Sequence, residues 1–592
     1  MPLKLEHRVR LADARAHLVE IETTVHDEAK LPSPLTLFMP VWTPGSYLVR
    51  EYARHVEGLT AERDGAALPI RKVRKNAWQC DPGGAHAVTV RYRLYCNELT
   101  VRTNHVDDTH AYLNGAATFL AVCGAEQAPS RVLLAVPEGW RVATALPPAA
   151  GDVPLGHVGF DAPDLDTLVD CPIEVGTHRE VELDVLGVAH RYAVHPAGEM
   201  EDANLRRLVA DTRTLLETEA KLFGGFPYER YLIQLHLSPR GRGGLEHKTS
   251  CTLLASPQSF QSREGYLDLL SLVAHEVFHA WNVKRLRPEG LTPYRYEGEN
   301  YTRLLWWFEG GTSYYDWRVL RLSGLASVPE YLGHLADEIA YLDATPGRLA
   351  HSLEEASFDA WIKLYRPDEN SANSTVSYYR KGEVVCALLD MELRARTGGR
   401  VGVDHVLRYL WEHHGAREVP VPEDGMLALF ERVAEVSLGD VFEPWVRGTA
   451  ELPYESTLAK LGMTLERGPR VDAPKGSLGL RLRGDGGRVM VASVLRGAAG
   501  QRGGIDPGDE LVSVGGRRLE STSLDAVLGG RDAGEVVEVV VARDGRTRTL
   551  AVALDEARRD RVRISVDAQA TPAQRALFAG WLGEAHPAWG NP

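Results

Sequence analysis

Short runs that alternate apolar and polar residues recur throughout the first 180 residues of the chain. Residues 87–94 form one such run, and clusters of Gly, Pro and Asp separate these runs from one another. Alternation with this period is typical of strands that bury one face. The pattern therefore predicts an N-terminal all-β, sandwich-like domain over residues 1–180.

The pattern changes to a helical period near residue 203. Leu205, Leu208 and Leu215 recur at helical spacing, one strand follows Pro227, and the residues from about 265 to 450 are chiefly helical in pattern. These features predict a second, mostly helical domain over residues 181–460.

Glycine and β-branched residues become frequent again near residue 455. Residues 489–494 and 536–541 are short β-branched runs, which favour strands. We predict a small β-rich domain over residues 461–556 and a tail over 557–592 that contains one short helix. The fold class predicted for the whole chain is multidomain α+β.

The charge of the chain argues against a nucleic-acid partner. The 592 residues carry 81 acidic and 67 basic side chains, a net charge of −14, and no Lys- and Arg-rich stripe is present. We expect the acidic excess to keep the protein soluble.

The six cysteines exclude a zinc ribbon and a dense disulfide framework, because they are sparse and none forms a C-x-x-C pair. Cys251 and Cys386 are possible nucleophiles in principle, but the favoured interpretation is that both are small buried apolar residues. The N-terminal residues lack an apolar signal core, and no segment has 18 consecutive apolar residues. We therefore expect a cytoplasmic protein without a membrane span.

The strongest chemical signal is the His-Glu-x-x-His sequence formed by His275, Glu276 and His279. Two histidines four residues apart on a helix share one face, so both imidazoles can bind one zinc ion. The carboxylate of Glu276 can then accept a proton from water at that ion. The motif predicts a catalytic site with one zinc ion per chain.

A catalytic zinc ion needs a third protein ligand and an open position. The downstream candidates are Glu289, Glu297, Glu299 and Glu309. We choose Glu309, because its segment opens or continues a helix and a ligand on a packed helix is better preorganised than one on a loop. A His-Glu-x-x-His helix followed by a helix with a Glu-Gly ligand resembles the gluzincin peptidases, including aminopeptidase N. The gap of 30 positions from His279 to Glu309 is longer than in many of those enzymes.

Two further segments resemble those relatives. Gly243, Gly244, Leu245, Glu246 and His247 resemble the Gly-x-Met-Glu-Asn exopeptidase motif. The resemblance implies a substrate-binding role for Gly243, Gly244 and His247, and it implies that Glu246 binds the substrate ammonium group.

The second segment comprises residues 376–382 and resembles the Tyr-x-Lys-Gly segment of the same enzymes. That resemblance implies that Tyr379 donates a hydrogen bond to the oxyanion, with Tyr378 as the alternative.

Residues 477–480 and 503–516 together resemble a PDZ domain. In that fold the backbone N–H groups of the first loop bind a C-terminal carboxylate, and the peptide adds to the sheet as a strand. The resemblance assigns Ser477, Leu478, Gly479 and Leu480 to the carboxylate-binding loop and predicts a C-terminal peptide ligand.

The whole arrangement resembles the glycyl aminopeptidase family, family sixty-one of the metallopeptidases. Its members join an N-terminal β-domain, a thermolysin-like catalytic domain and a PDZ domain. The residues that carry the resemblance are 40–52, 243–247, 275–288 and 307–315. The resemblance implies peptide substrates and a preference for small N-terminal residues such as Gly or Ala.

Two alternatives to a zinc aminopeptidase remain open at the level of sequence. One is a PDZ-guided zinc endopeptidase that uses the same metal site. The other is a non-enzymatic PDZ scaffold with a vestigial metal site, against which the intact set of ligands and Glu276 argues.

Overall fold

A computed structural model of the chain describes residues 3–471, 473–519, 524–556 and 560–584. The chain divides into one unit of residues 1–301, 315–325 and 410–422, and a second unit of residues 302–314, 326–409 and 423–592. The division passes through the continuous helix Gly310–Leu322, which therefore contributes residues to both units.

Three sheets form the N-terminal part of the first unit, and strands that alternate buried and exposed residues build their shared apolar core. The seven-stranded sheet has the order His157–Ala162, Ser130–Ala135, Lys4–Asp13, Leu18–His26, Ala87–Tyr95, Val56–Arg63 and Ala66–Leu68. One four-stranded sheet has the order Arg141–Thr144, Ile173–Gly176, His110–Leu113 and His105–Val106. The other has the order Ala121–Val122, Leu35–Phe38, Ala77–Cys80 and Ile70–Arg74.

A five-stranded sheet follows in the same unit and carries part of the candidate site on its edge. Its order is Arg179–Val185, Val188–His195, Arg230–Leu237, Ser250–Ala255 and Gly243–Glu246. The central strands are parallel and almost fully buried, whereas the edge strand Gly243–Glu246 is antiparallel to its neighbour. The helices Asp202–Phe223 and Arg263–Phe278 belong to the same unit.

The second unit is helical up to residue 459. Its main helices are Leu305–Phe308, Val328–Asp343, Leu353–Phe358, Ser371–Ser374, Tyr378–Arg396, Met426–Ala434, Gly439–Phe442 and Tyr454–Ala459, together with residues 403–409 of the helix Val403–His413. Among them, Tyr378–Arg396 is buried along nearly its whole length, so it forms the central helix of this unit.

A β-rich module completes the second unit. Its main sheet has the order Leu480–Asp485, Arg488–Val494, Glu510–Val514, Val536–Arg543 and Arg546–Ala553 around an apolar core of its own. The strand Met463–Gly468 before the module pairs with Arg561–Val566 after it. The helix Pro572–Leu582 follows, and the indole of Trp581 donates a hydrogen bond to the Tyr314 hydroxyl at 3.1 Å.

The predicted fold class is therefore confirmed: an all-β N-terminal part, a largely helical middle part and a β-rich C-terminal module. The domain bounds 1–180, 181–460, 461–556 and 557–592 stay predictions. Among the described residues, no helix has the length and apolarity needed to cross a membrane.

Candidate active site

The helix Arg263–Phe278 carries the metal-binding motif in its last turn. Ser262 caps the helix by accepting a hydrogen bond from the Gly265 N–H at 3.0 Å, and most of the helix is buried. The helix ends at Phe278, one residue before His279, which is the last residue of the motif. His279 nevertheless keeps a helical backbone conformation. The imidazole centres of His275 and His279 consequently lie 4.7 Å apart.

Both histidines are oriented through Nδ1. The Nδ1 of His279 lies 2.8 Å from the carbonyl oxygen of Asn282, and the Nδ1 of His275 lies 3.0 Å from a carboxylate oxygen of Asp316. A carbonyl oxygen can only accept a hydrogen bond, so Nδ1 of His279 carries the proton and Nε2 keeps its lone pair. Histidines that bind metal ions are typically oriented in this way.

The backbone turn after the motif is strained, and its conformation fixes the contact between His279 and the Asn282 carbonyl. Val283 follows Asn282 directly and has a φ of 112°, which is unfavourable for a β-branched residue. Two backbone hydrogen bonds offset this strain: the Val283 N–H donates to the Leu286 carbonyl, and the Leu286 N–H donates to the Trp281 carbonyl. The conformation holds the Asn282 carbonyl against His279, as is common for strain near functional sites.

Glu309 is the buried residue that joins the helices Leu305–Phe308 and Gly310–Leu322. Asp316 lies seven residues later, on the helix Gly310–Leu322; seven residues are about two helical turns, which favours the same face for both carboxylates. His275, His279 and Glu309 each offer one ligand atom, and these three atoms lie within 4.8 Å of one another. Two imidazoles and a carboxylate are the donor set of many open zinc sites, so these residues fit a zinc ion.

The other candidates for the third ligand have different surroundings. Glu297 forms an ion pair with Arg74 at 2.5 Å and lies near the Cys123 thiol. Glu289 is exposed at the start of a short helix. Among the described residues, Glu309 is the candidate that shares a metal-binding group with the two histidines.

Glu276 lies against the edge strand Gly243–Glu246. A Cβ atom at Gly244 would overlap the carboxylate of Glu276, so a glycine is required there for Glu276 to keep its position. Glu276, Glu246 and His279 form a second group whose ligand atoms lie within 4.8 Å. The candidate general base and the candidate ammonium-binding residue are therefore neighbours.

We predict that Gly244→Ala lowers kcat on the order of 10²-fold, because the new methyl group must displace the Glu276 carboxylate. Steady-state kinetics with circular dichroism as a folding check would measure this effect. Gly298→Ala is the matched control, because nothing lies within 4 Å of a Cβ atom at Gly298. If both variants lost the same small factor, the contact between Gly244 and Glu276 would have no catalytic importance.

Glu246 ends the edge strand and is 4% exposed. One of its carboxylate oxygens, Oε1, has no hydrogen-bond partner among the described residues. A Cβ atom at Gly45 would overlap this carboxylate, and Gly45 has a φ of 91° in the turn formed by residues 42–47. A buried carboxylate oxygen without a donor is a natural binding position for a cation.

Loops of the N-terminal part supply some of the surroundings of the site. Arg102 donates a hydrogen bond to the Gly244 carbonyl at 3.1 Å, and its guanidinium would lie 3.3 Å from a Cβ atom at Gly243. Trp42 donates a hydrogen bond to the Arg295 carbonyl at 2.8 Å and so anchors the turn that carries Gly45.

His247 is buried beside Asp170. Its Nδ1 lies 3.3 Å from a carboxylate oxygen of Asp170, which also forms an ion pair with Lys284 at 2.6 Å. Burial opposes ionisation of Asp170, but Lys284 and His247 outweigh it and hold the pKa of this carboxyl below its usual range. These contacts orient the turn after Glu246, and a direct contact of His247 with substrate stays a prediction.

The two adjacent tyrosines at the start of the helix Tyr378–Arg396 differ in exposure. Tyr378 is fully buried and its hydroxyl has no hydrogen-bond partner among the described residues, whereas Tyr379 is partly exposed. The Tyr379 hydroxyl lies 3.4 Å from that of Tyr365. Burial and the neighbouring Glu309 carboxylate raise the pKa of Tyr379 well above its usual range. Its hydroxyl therefore stays protonated and can donate a hydrogen bond.

Two glycines bring this helix close to Glu309. A Cβ atom at Gly310 would overlap the Tyr378 carbonyl, and one at Gly382 would lie 2.6 Å from the Trp306 carbonyl. The Glu-Gly and Lys-Gly pairs of the sequence thus allow two helix backbones to cross in contact.

Burial disfavours the charged form of three acidic or nucleophilic groups, Glu219, Cys251 and Cys386. Glu219 is fully buried, and burial together with Asp316 raises its pKa well above the usual range. Burial and the nearby Glu276 likewise raise the pKa of the Cys251 thiol, and burial does the same for Cys386. Neither cysteine has the properties of a nucleophile.

The predicted carboxylate-binding loop precedes the edge strand Leu480–Asp485 of the β-rich module. Gly479 has a φ of 68°, and its N–H donates a hydrogen bond to the Ser477 hydroxyl at 3.1 Å. The carbonyls of Gly479 and Leu478 accept hydrogen bonds from the N–H groups of Leu495 and Gly500. The loop is thus held at the end of a sheet edge, where β-strand addition is possible.

Several contributors to the site were not identified from the sequence. Asp316 could have been found, because it lies two helical turns after Glu309 and carries a carboxylate. Gly45, Arg102 and Tyr365 carry no local signal, since they are distant in sequence from the residues that they approach.

Three family models match the chain. They are described as the peptidase M61 N-terminal domain over residues 6–177, M61 glycyl aminopeptidase over 268–385 and the PDZ domain over 469–542. No curated protein matches the chain.

Among solved structures, an aminopeptidase N family protein from Idiomarina loihiensis is 28% identical, with a TM-score of 0.90. The alignment covers 98% of this chain and 100% of that one. An M1 zinc metallopeptidase from Deinococcus radiodurans is 17% identical with a TM-score of 0.47, and the alignment covers 76% of this chain and 94% of that one.

Proposed function

We propose that this chain is an M61 metallopeptidase that removes single residues from the N-termini of peptides and favours small residues such as Gly or Ala. The observation that carries the proposal is the position of Glu246. Its buried carboxylate shares a group with Glu276 and His279, and its ligand atom lies within 4.8 Å of theirs. An ammonium group bound by Glu246 would lie about one residue from the bond to be cleaved.

In this proposal His275, His279 and Glu309 hold one zinc ion. A bound zinc ion would polarise the scissile carbonyl and lower the pKa of the attacking water. Asp316 and the Asn282 carbonyl fix the two imidazoles through their Nδ1 atoms, at 3.0 and 2.8 Å. This orientation leaves Nε2 of each ring for the metal ion.

Glu276 is the general base and acid of the proposed reaction. Its carboxylate takes a proton from water and passes it to the nitrogen of the leaving amine. Gly244 permits the position that Glu276 needs for both transfers. Tyr379 donates a hydrogen bond to the oxygen that becomes negative during attack, since its hydroxyl remains protonated.

Glu246 gives the reaction its direction along the peptide. The carboxylate is buried and lacks a donor at Oε1 among the described residues, so it gains more from a substrate ammonium group than an exposed carboxylate would. An internal peptide bond offers no charge there. The turn that carries Gly45 lies directly against the Glu246 carboxylate, which supports a preference for small N-terminal residues.

We further propose that the PDZ module binds a C-terminal peptide carboxylate at Ser477, Leu478, Gly479 and Leu480. The position of this loop at the start of the edge strand Leu480–Asp485 supports such binding. The ligand can be a substrate or a regulatory protein. The cytoplasm is the compartment that we predict for this activity.

The proposal is tested by hydrolysis of Gly, Ala, Leu, Arg and N-acetyl-Gly anilides with and without a chelator. We expect chelator-sensitive cleavage of the free Gly and Ala substrates. Cleavage of longer peptides at internal bonds, without any anilide cleavage, would instead indicate the PDZ-guided endopeptidase. Absence of any turnover by the zinc-loaded protein would indicate the PDZ scaffold.

A further inference from the structure

A second buried group of histidines and carboxylates lies within the first unit, apart from the proposed catalytic residues. His110 and Glu174 lie on paired strands of a four-stranded sheet, and His195 and His236 lie opposite each other on paired strands of the five-stranded sheet. All four side chains are at most 6% exposed. The group therefore lies where these two sheets of the first unit meet.

Glu174 is the centre of the group. Its Oε1 lies 3.0 Å from Nδ1 of His110, and its Oε2 lies 3.0 Å from Nε2 of His236. Burial opposes the charge of Glu174, but His236 and His110 outweigh burial and hold the pKa of this carboxyl below its usual range. Among the described residues, the hydrogen bonds of the Glu174 carboxylate are thus made with imidazoles.

His195 completes a possible set of ligands. Its ring stacks on that of His110 with a centroid distance of 3.6 Å, and His110, Glu174 and His195 each offer a ligand atom within 4.8 Å of the others. Burial, together with His110, lowers the pKa of His195 to about 3, so the ring is neutral and retains a lone pair.

Two nitrogen atoms of this group lack partners. The Nδ1 atoms of His195 and His236 are buried and have no hydrogen-bond partner among the described residues. Buried polar atoms without partners are costly, and native structures commonly satisfy them with water or an ion. A metal ion here would meet a buried carboxylate and imidazole nitrogens that lack hydrogen-bond partners among the described residues.

We propose that His110, Glu174 and His195 bind a divalent transition-metal ion such as Zn²⁺, with His236 orienting Glu174 through a hydrogen bond. Two imidazole nitrogens and one carboxylate oxygen match the ligand preferences of zinc and cobalt. The ion would join strands of two sheets, so its role is to stabilise the first unit. It would raise the number of zinc ions expected from one to two per chain.

A neighbouring group of His105, Asp107 and His110 is a weaker candidate for the same ion. Asp107 already accepts hydrogen bonds from the N–H and hydroxyl of Thr109 and from the His110 N–H, at 2.7, 2.6 and 3.0 Å. A ligand carboxylate there would have to give up contacts within its own turn. Glu174 makes contacts with imidazoles only, which a metal ion can replace without disturbing the backbone.

The test is the metal content of the full chain after removal of metal by a chelator and reloading with Zn²⁺. We expect two ions in the wild type, one in Glu174→Gln, one in His279→Ala and none in the double variant. His190→Gln is the matched control. His190 is buried on the strand Val188–His195, which also carries His195, but its ring contacts Tyr228 instead of the proposed ligands. This variant should retain two ions. One ion in the wild type, or two in Glu174→Gln, would overturn the proposal.

A second measurement covers the case in which Glu174→Gln does not fold. In His279→Ala, added Co²⁺ should raise Tm by roughly 5 °C and produce the visible absorption of tetrahedral cobalt. Neither response in this variant would also overturn the proposal. The inference is independent of the proposed peptidase mechanism, because it is tested without catalytic turnover.

Discussion

Glu276→Gln is expected to reduce kcat on the order of 10³-fold, because glutamine cannot accept a proton from water. The amide has nearly the same shape as the carboxylate, so it should still fit against Gly244. The three metal ligands are not altered. The expected result is therefore a protein that binds zinc and substrate normally but turns over very slowly.

The measurement combines steady-state kinetics on a free Gly or Ala anilide with metal analysis of the same preparation. The matched control is Glu219→Gln, which also replaces a buried carboxyl group by an amide. Burial and the nearby Asp316 raise the pKa of Glu219 well above its usual range, which favours the neutral form, so replacement by an amide should change kcat little. Full activity of Glu276→Gln with zinc bound would show that another group acts as the base.

The sequence predicted the parts of this site that lie close together along the chain. His275, Glu276 and His279 fall within five residues, so helical spacing alone determines that they share one face. Glu309 required a further step, the argument that a helix positions a ligand better than a loop. The change of hydrophobic period along the chain also predicted the order of an all-β part, a helical part and a β-rich part.

The parts that could not be predicted depend on contacts between distant segments. Gly45 approaches Glu246 across about 200 residues of sequence, and Arg102 reaches the Gly244 carbonyl in the same way. No local pattern marks a glycine whose only task is to leave space for a distant carboxylate. The same reason explains why the group around Glu174 was missed, since its histidines come from three separate strands.

The two glycines of the edge strand have contacts that the sequence analysis did not predict. The resemblance implied that Gly243 and Gly244 leave space for substrate. The structure shows that Gly244 also leaves space for Glu276, while Gly243 lies beside Arg102. In the proposed mechanism, one strand therefore carries both the ammonium-binding residue and the glycine that leaves space for the general base.

Glu246→Gln should lower kcat/KM for substrates with a free N-terminus by about 10²-fold, while cleavage of N-acetylated substrates stays near background. A hydrogen bond to a charged partner contributes about 1.5–3 kcal/mol, and the ammonium group would lose its counter-charge in a buried position. The amide keeps the shape of the side chain against Gly45. The loss should therefore be in binding of the charge rather than in the position of the turn.

The measurement is kcat/KM for Gly-anilide and N-acetyl-Gly-anilide in the wild type and the variant. Glu297→Gln is the matched control, because Glu297 is a partly buried glutamate that forms an ion pair with Arg74. This variant should leave the discrimination between the two substrates unchanged.

The ratio of the two rates separates the possible roles of Glu246. A loss confined to the free amine means that Glu246 binds the ammonium group, whereas an equal loss on both substrates would mean that it only supports Glu276. Wild-type cleavage of both substrates at similar rates would refute an N-terminal specificity altogether, because acetylation removes the one charge that Glu246 can recognise.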